Sequence, residues 1–161
     1  MLVNPDVKVL GLVRDPRSVM YSTMDRWYAD PVQRQYKWIS TYQNLLLVEQ
    51  LLPQNQYMRI RYEDVIECPK PTFEDITEFL GLEKCEEVGK GMHKKSLEKW
   101  KQAEGYNLRI NEDLALVANY FGYNIEKHLE EESTYKINKI KKGFFLFKDK
   151  LKKQLKYRLH I

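Results

Sequence analysis

Arg14, Asp15, Pro16 and Ser22 are the residues of this chain whose types and spacing promise chemistry. Asp15 stands in N-cap position and Pro16 follows at the first helical position, a pairing that starts helices. A helix N-terminus presents unpaired N–H groups and attracts negative charge. Arg14 immediately precedes that start. Ser22 lies six residues beyond Pro16, roughly 9 Å along a helix axis, a gap that an arginine side chain spans toward a shared anion. The chemistry implied is an anion site, with a phosphate as the ligand.

The elements that must position these residues are legible on either side. Val7, Val9, Leu10, Leu12 and Val13 put apolar side chains on both faces of a short segment, the pattern of a strand buried in a parallel sheet. Arg14 then sits at the carboxyl end of that strand, the edge at which open α/β sheets bind ligands. Val19, Met20, Thr23, Met24 and Trp27 recur at helical spacing and give the next helix its packing face. A second helix is predicted over about Val32 to Leu52, with Trp38, Tyr42, Leu45, Leu46 and Leu52 as its apolar stripe and Pro53 as its stop. The alternation of Met58, Ile60 and Tyr62 with Arg59 and Arg61 predicts a second strand from Tyr57 to Asp64. Glu63 and Asp64 are expected to cap or hydrogen-bond the turn that follows. Thr72 with Asp75 has the form of a capping box, Phe73, Ile76, Phe79 and Leu80 form the buried face of the helix behind it, and Gly81 ends it. Asn111 caps a last helix whose apolar positions run from Leu114 to Phe121, closed by Gly122.

Arg14-Asp15-Pro16, with a serine eight residues after the arginine, resembles the sulfotransferase family that uses 3′-phosphoadenosine 5′-phosphosulfate as donor. In that family the arginine and serine hold the donor's 3′-phosphate, a role the resemblance gives to Arg14 and Ser22; the plain alternative is a capped helix with a surface arginine and a helical serine. The strand closing in Tyr62-Glu63-Asp64 is similar to a family strand whose tyrosine lies near the adenine, and this implies Tyr62 as an aromatic contact on the base. The plain alternative is a half-buried strand tyrosine. The run from Pro71 to Leu82 also looks like the family, and there it is structural. Counting back from Trp100 brings His93, Lys94 and Lys95 onto the family's Arg-Lys-Gly cluster. The resemblance therefore implies Lys94 and Lys95 as further phosphate contacts, with His93 in the arginine's place and Lys95 in the glycine's. The other reading is a solvated basic loop. Gly89-Lys90-Gly91 lacks the spacing of a P-loop and follows no predicted strand. Phe121 to Asn124, after a tryptophan-centred turn and a helix, is similar to the closing segment of Golgi carbohydrate sulfotransferases. The resemblance runs from about residue 5 to residue 125.

Composition sets the remaining bounds. The chain has 161 residues, 43% of them hydrophobic, a net charge of +4 and a pI of about 8.9. Such a length forms one domain or part of one, burying roughly 68–70% of the surface of its unfolded chain. The mild basic excess suits an anionic ligand. Nucleic acid is not indicated, because the aromatics are not interleaved with Lys and Arg on a strand platform. No apolar run approaches the roughly 18 residues of a membrane helix, and no signal-peptide pattern is present. Cys68 and Cys85 are too few for a zinc site or a disulfide framework; they pair in an oxidising compartment or stay free thiols. His93, His128 and His160 form no spaced pair, and no metal is expected.

The fold expected is α/β, a parallel sheet flanked by helices of the P-loop-like sulfotransferase type. Residues 1–125 are read as the carboxyl-terminal part of the domain. The family's phosphosulfate loop, base and assisting lysine precede Arg-Asp-Pro, so no residue here is assigned as catalytic. Residues 126–161 form a charged tail, in which Lys136 to Ile161 carries ten Lys/Arg against the single Asp149. It reads either as a basic amphipathic helix on an anionic membrane surface or partner, or as a solvated helix packing its Phe residues on the domain. The resemblance implies sulfuryl transfer to a carbohydrate hydroxyl in the Golgi lumen. The alternative is a non-catalytic domain that binds a nucleotide or a partner.

Overall fold

The computed structural model describes residues 7–84, 91–103, 106 and 110–125. The charged tail and Cys85 lie outside the described residues. Strand β1 (Val9–Val13) leads into helices α1 (Pro16–Trp27) and α2 (Pro31–Leu51), then strand β2 (Tyr57–Arg61). Helices α3 (Tyr62–Glu67), α4 (Pro69–Leu80), α5 (Lys95–Glu98) and α6 (Glu112–Tyr120) follow. The two strands pair in parallel, with Val9 opposite Tyr57 and Val13 opposite Arg61. The expected α/β architecture is therefore present, with α1 and α2 as the crossover between the strands.

The core forms where α2 is held between α1 and α6. Trp38 and Tyr42, one helical turn apart on α2, stack at 3.8 Å between ring centroids, and Phe121 meets Tyr42 edge-on at 5.3 Å. Val13 and Met20 are completely buried against this cluster. Burying aromatic rings of this size supplies much of the hydrophobic driving force.

The structure departs from the sequence expectations at several places; among them, Phe73, Ile76, Phe79 and Leu80 of the fourth helix are only half-buried. On β1, Val9, Gly11 and Val13 alternate with Leu10 and Leu12, and the two leucines are 39% and 56% exposed. One face of the strand pair looks toward α6, whose end places Tyr120 and Phe121 over Arg59. The opposite face meets α4, where Phe79 lies under Lys8. The described residues on that side cover the leucines of β1 only in part. Trp27 is likewise 54% exposed rather than packed. The second strand ends at Arg61, so Tyr62, Glu63 and Asp64 open α3 instead of closing β2. Helix α4 begins at Pro69, which suits the first helical position. Thr72 then lies inside that helix, where its hydroxyl donates to the Cys68 carbonyl at 2.8 Å and caps nothing. The stops and starts at Asp15, Gly81 (φ 69°) and Asn111 are as expected.

Candidate functional site

The end of β1 is fixed by side chains from distant parts of the chain. The Arg14 N–H donates to the Tyr42 hydroxyl at 2.8 Å, and the same hydroxyl reaches the Arg14 carbonyl at 3.3 Å. Burial, its largest cause, pushes the Tyr42 phenol above its ordinary value, so it stays protonated to serve both contacts. The Asp15 N–H donates to Glu63 Oε1 at 3.0 Å, and Glu63 Oε2 accepts from the Tyr123 hydroxyl at 2.8 Å. Glu63 thus braces the site instead of the turn after it, as the sequence reading had it.

Asp15 performs the capping its position predicts, accepting from the Arg17 N–H at 2.8 Å. It also forms an ion pair with the Arg17 guanidinium at 2.6 Å. The first N–H of the helix is therefore satisfied by a side chain, and the open space lies along the flank of α1, not over its tip. That space is a cavity of about 170 Å³ lined by Arg14, Ser18, Tyr21, Ser22, Asp25, Arg26, Tyr62, Lys99 and Trp100. Its volume takes a phosphate with its sugar but is below the roughly 300–1,000 Å³ of pockets that enclose whole drug-sized ligands.

Ser18, Ser22 and Arg26 are spaced four residues apart on α1 and form one stripe, joined by Tyr21 and Asp25. Arg14 enters from the strand end, its guanidinium 4.2 Å from the centroid of the Tyr62 ring. The far wall is the segment around α5, which the fold pins to α1. Ser18 donates to the Leu97 carbonyl at 3.1 Å, Tyr106 donates to the Arg17 carbonyl at 3.1 Å, and the Arg17 guanidinium lies 4.7 Å from the Trp100 ring. Three cations (Arg14, Arg26 and Lys99) face one carboxylate (Asp25), so the lining is net positive. Three aromatic rings, Tyr21, Tyr62 and Trp100, flank it. An anion attached to a flat or sugar-like body suits such a lining.

Of the residues proposed from sequence, Arg14, Ser22 and Tyr62 come together in this one cavity. Lys94 and Lys95 do not: both lie outside its lining, and Lys99, one helical turn beyond Lys95 and exposed like them, stands at its edge in their place. Counting from a motif fixes a position along the chain, whereas the docking of Leu97 and Trp100 on α1 decides which lysine borders the cavity. Ser18, Asp25 and Arg26 were missed although helical spacing from Ser22 would have found them. Lys99, Trp100, Tyr42 and Glu63 arrive through long-range contacts that no local pattern carries. Among the described residues there is no group of three His, Cys, Asp or Glu able to hold a metal, and no helix long and apolar enough to cross a membrane.

Residues 1–87, more than half of the chain, match the sequence pattern of a family described as the sulfotransferase family. Two solved structures share its fold. The sulfotransferase domain from the curacin biosynthetic pathway superposes with a TM-score of 0.64 at 18% identity, over 77% of this chain and 56% of that one. The sulfotransferase domain from the Synechococcus PCC 7002 olefin synthase superposes with a TM-score of 0.60 at 19% identity, over 74% of this chain and 50% of that one. The chain thus spans about half the length of these solved domains. No curated protein sequence matches it significantly.

Proposed function

We propose, from the premise that this chain belongs to the sulfotransferase family, that its cavity holds the nucleotide part of 3′-phosphoadenosine 5′-phosphosulfate. Arg14 and Ser22 take the 3′-phosphate, the arginine through charge-assisted hydrogen bonds and the serine as a hydroxyl donor. Tyr62 offers its ring to the base. Lys99 and Arg26 add positive charge around the phosphate. The observation that carries this reading is the convergence of Arg14 and Ser22, eight residues apart, with Tyr62, forty residues further on, on one net-positive cavity with aromatic walls.

The reaction served is transfer of a sulfuryl group to a hydroxyl: the acceptor oxygen bonds to sulfur, the bond from sulfur to the phosphate oxygen breaks, and the hydroxyl proton passes to a base. Arg14 and Ser22, fixed on the 3′-phosphate, position the departing nucleotide for that step. A carbohydrate is the acceptor class we propose, with the Golgi lumen as the place of action, on the likeness of Phe121 to Asn124 to the closing segment of carbohydrate sulfotransferases. The basic stretch from Lys136 to Ile161 adds an anionic membrane surface as a further contact.

Calorimetric titration with adenosine 3′,5′-bisphosphate and with adenosine 5′-monophosphate tests the reading. Loss of a 3′-phosphate held by two charge-assisted contacts is expected to weaken binding by about tenfold or more. Equal affinity for the two nucleotides would overturn it.

A further inference from the structure

Two contacts on the Arg14-Asp15 dipeptide come from a single turn of helix. Glu63 takes the Asp15 N–H, and its neighbour Tyr62 lies against the Arg14 guanidinium, 4.2 Å from ring centroid to Cζ. Both residues open α3 directly after β2. The first turn of α3 therefore sets where the backbone leaves β1 and where the arginine side chain goes. Glu63 is itself fixed on its other oxygen by Tyr123, a phenol 3% exposed whose ring supports the Arg61 guanidinium at 4.7 Å. Burial first, and then the hydrogen bond to Glu63, raise the Tyr123 phenol, so it remains the proton donor in this pair.

We infer that Glu63 is a positioning residue for Arg14: held by the Tyr123 hydroxyl, it anchors the Asp15 N–H and so directs the Arg14 guanidinium along Tyr62 into the cavity. A carboxylate near an anion site has no favourable contact to offer the anion. Removing its charge alone would tighten anion binding, because like charges repel. Loss of affinity on removing Glu63 therefore reports geometry and not charge. The inference rests on the nucleotide reading for its consequence, though not for the geometry itself.

The geometry is tested without ligand, by the ring-current shift that Tyr62 imposes on the Arg14 side-chain resonances in NMR spectra. Glu63→Ala is expected to abolish that shift, and Glu63→Gln, whose amide oxygen still accepts from the Asp15 N–H, to keep it. Should Glu63→Ala fail to fold, Tyr123→Phe removes one oxygen only and is expected to reduce the shift. An Arg14 shift unchanged in the folded variants would overturn the inference. The consequence is tested by titration with adenosine 3′,5′-bisphosphate. Glu63→Ala is expected to weaken binding about tenfold in the wild-type background but less than about twofold beside Arg14→Ala, the non-additivity of residues acting through one another. Equal weakening in both backgrounds would refute it. A wild-type chain that ignores the bisphosphate, yet loses the Arg14 shift with Glu63, would contradict the nucleotide reading and leave the positioning role standing.

Discussion

Replacing Gly11 with alanine puts the packing beneath the site under direct test. Gly11 sits in the middle of β1, three residues before Arg14, on the face that packs inward. A Cβ there would lie 2.1 Å from the Tyr57 hydroxyl oxygen, 2.7 Å from its Cζ and 3.0 Å from Cε2. Favourable contact between such atoms begins at about 3.5 Å, so the methyl group and the ring compete for one space. Tyr57 is only 8% exposed, and its hydroxyl has no hydrogen-bond partner among the described residues. The ring must swing or β1 must shift, and overpacking of this kind costs about 1–3 kcal/mol. For a chain of this size a loss of about 2 kcal/mol lowers the melting temperature by about 4–8 °C. Tyr57→Phe removes the nearest of the three clashing atoms and discards an unpartnered buried hydroxyl, so alone it is expected to cost less than about 1 kcal/mol. Combined with Gly11→Ala it should recover part of the loss. Thermal melts and urea titrations of the two single variants and the double variant read all of this. Gly11→Ala melting with the wild type would refute the packing argument, and so would a Tyr57→Phe loss as large as that of Gly11→Ala.

Two further outcomes follow from the site. Burial, as the largest cause, raises the phenols of Tyr106 and Tyr123 above the ordinary tyrosine value. Their contribution to stability is thus complete below pH about 10 and drains away as the pH climbs further, because the unfolded chain ionises first. Urea midpoints measured between pH 8 and 11, on an alkaline scale set by that tyrosine value, should fall at the upper end, and less steeply for Tyr123→Phe; a flat profile for the wild type contradicts the burial. Lys99→Ala should weaken bisphosphate binding about threefold or more while Lys94→Ala leaves it nearly unchanged, because only Lys99 borders the cavity and a solvated charge away from it is worth little. The reverse order would return the phosphate contact to the exposed basic loop.

The sequence carried the local part of this structure well. Asp15 with Pro16, Gly81 and Asn111 are caps whose mechanism is a single side chain or a single backbone angle, so they read directly. Arg14 and Ser22 were legible because one strand end and one helix place both. What stayed hidden depends on tertiary contacts. Leu10 and Leu12 have the composition of a doubly buried strand, but burial is decided by what packs on each face, and the described helices cover that side of β1 only in part. Glu63 looks like any turn acid until Tyr123, sixty residues on, supplies its partner. Lys99 and Lys95 are both exposed and differ only in which of them the docking of Leu97 and Trp100 on α1 sets beside the cavity.

The claim that Arg14 clamps a phosphate is tested most directly by calorimetry with adenosine 3′,5′-bisphosphate on the wild type and Arg14→Ala. Charge-assisted contacts from Arg14 and Ser22 are worth about 1.5–3 kcal/mol each and must first offset several kcal/mol of lost ligand freedom. Wild-type binding weaker than about 10 µM is therefore expected, with a further loss of about tenfold or more on removing the guanidinium. Equal binding by the two proteins would contradict the account.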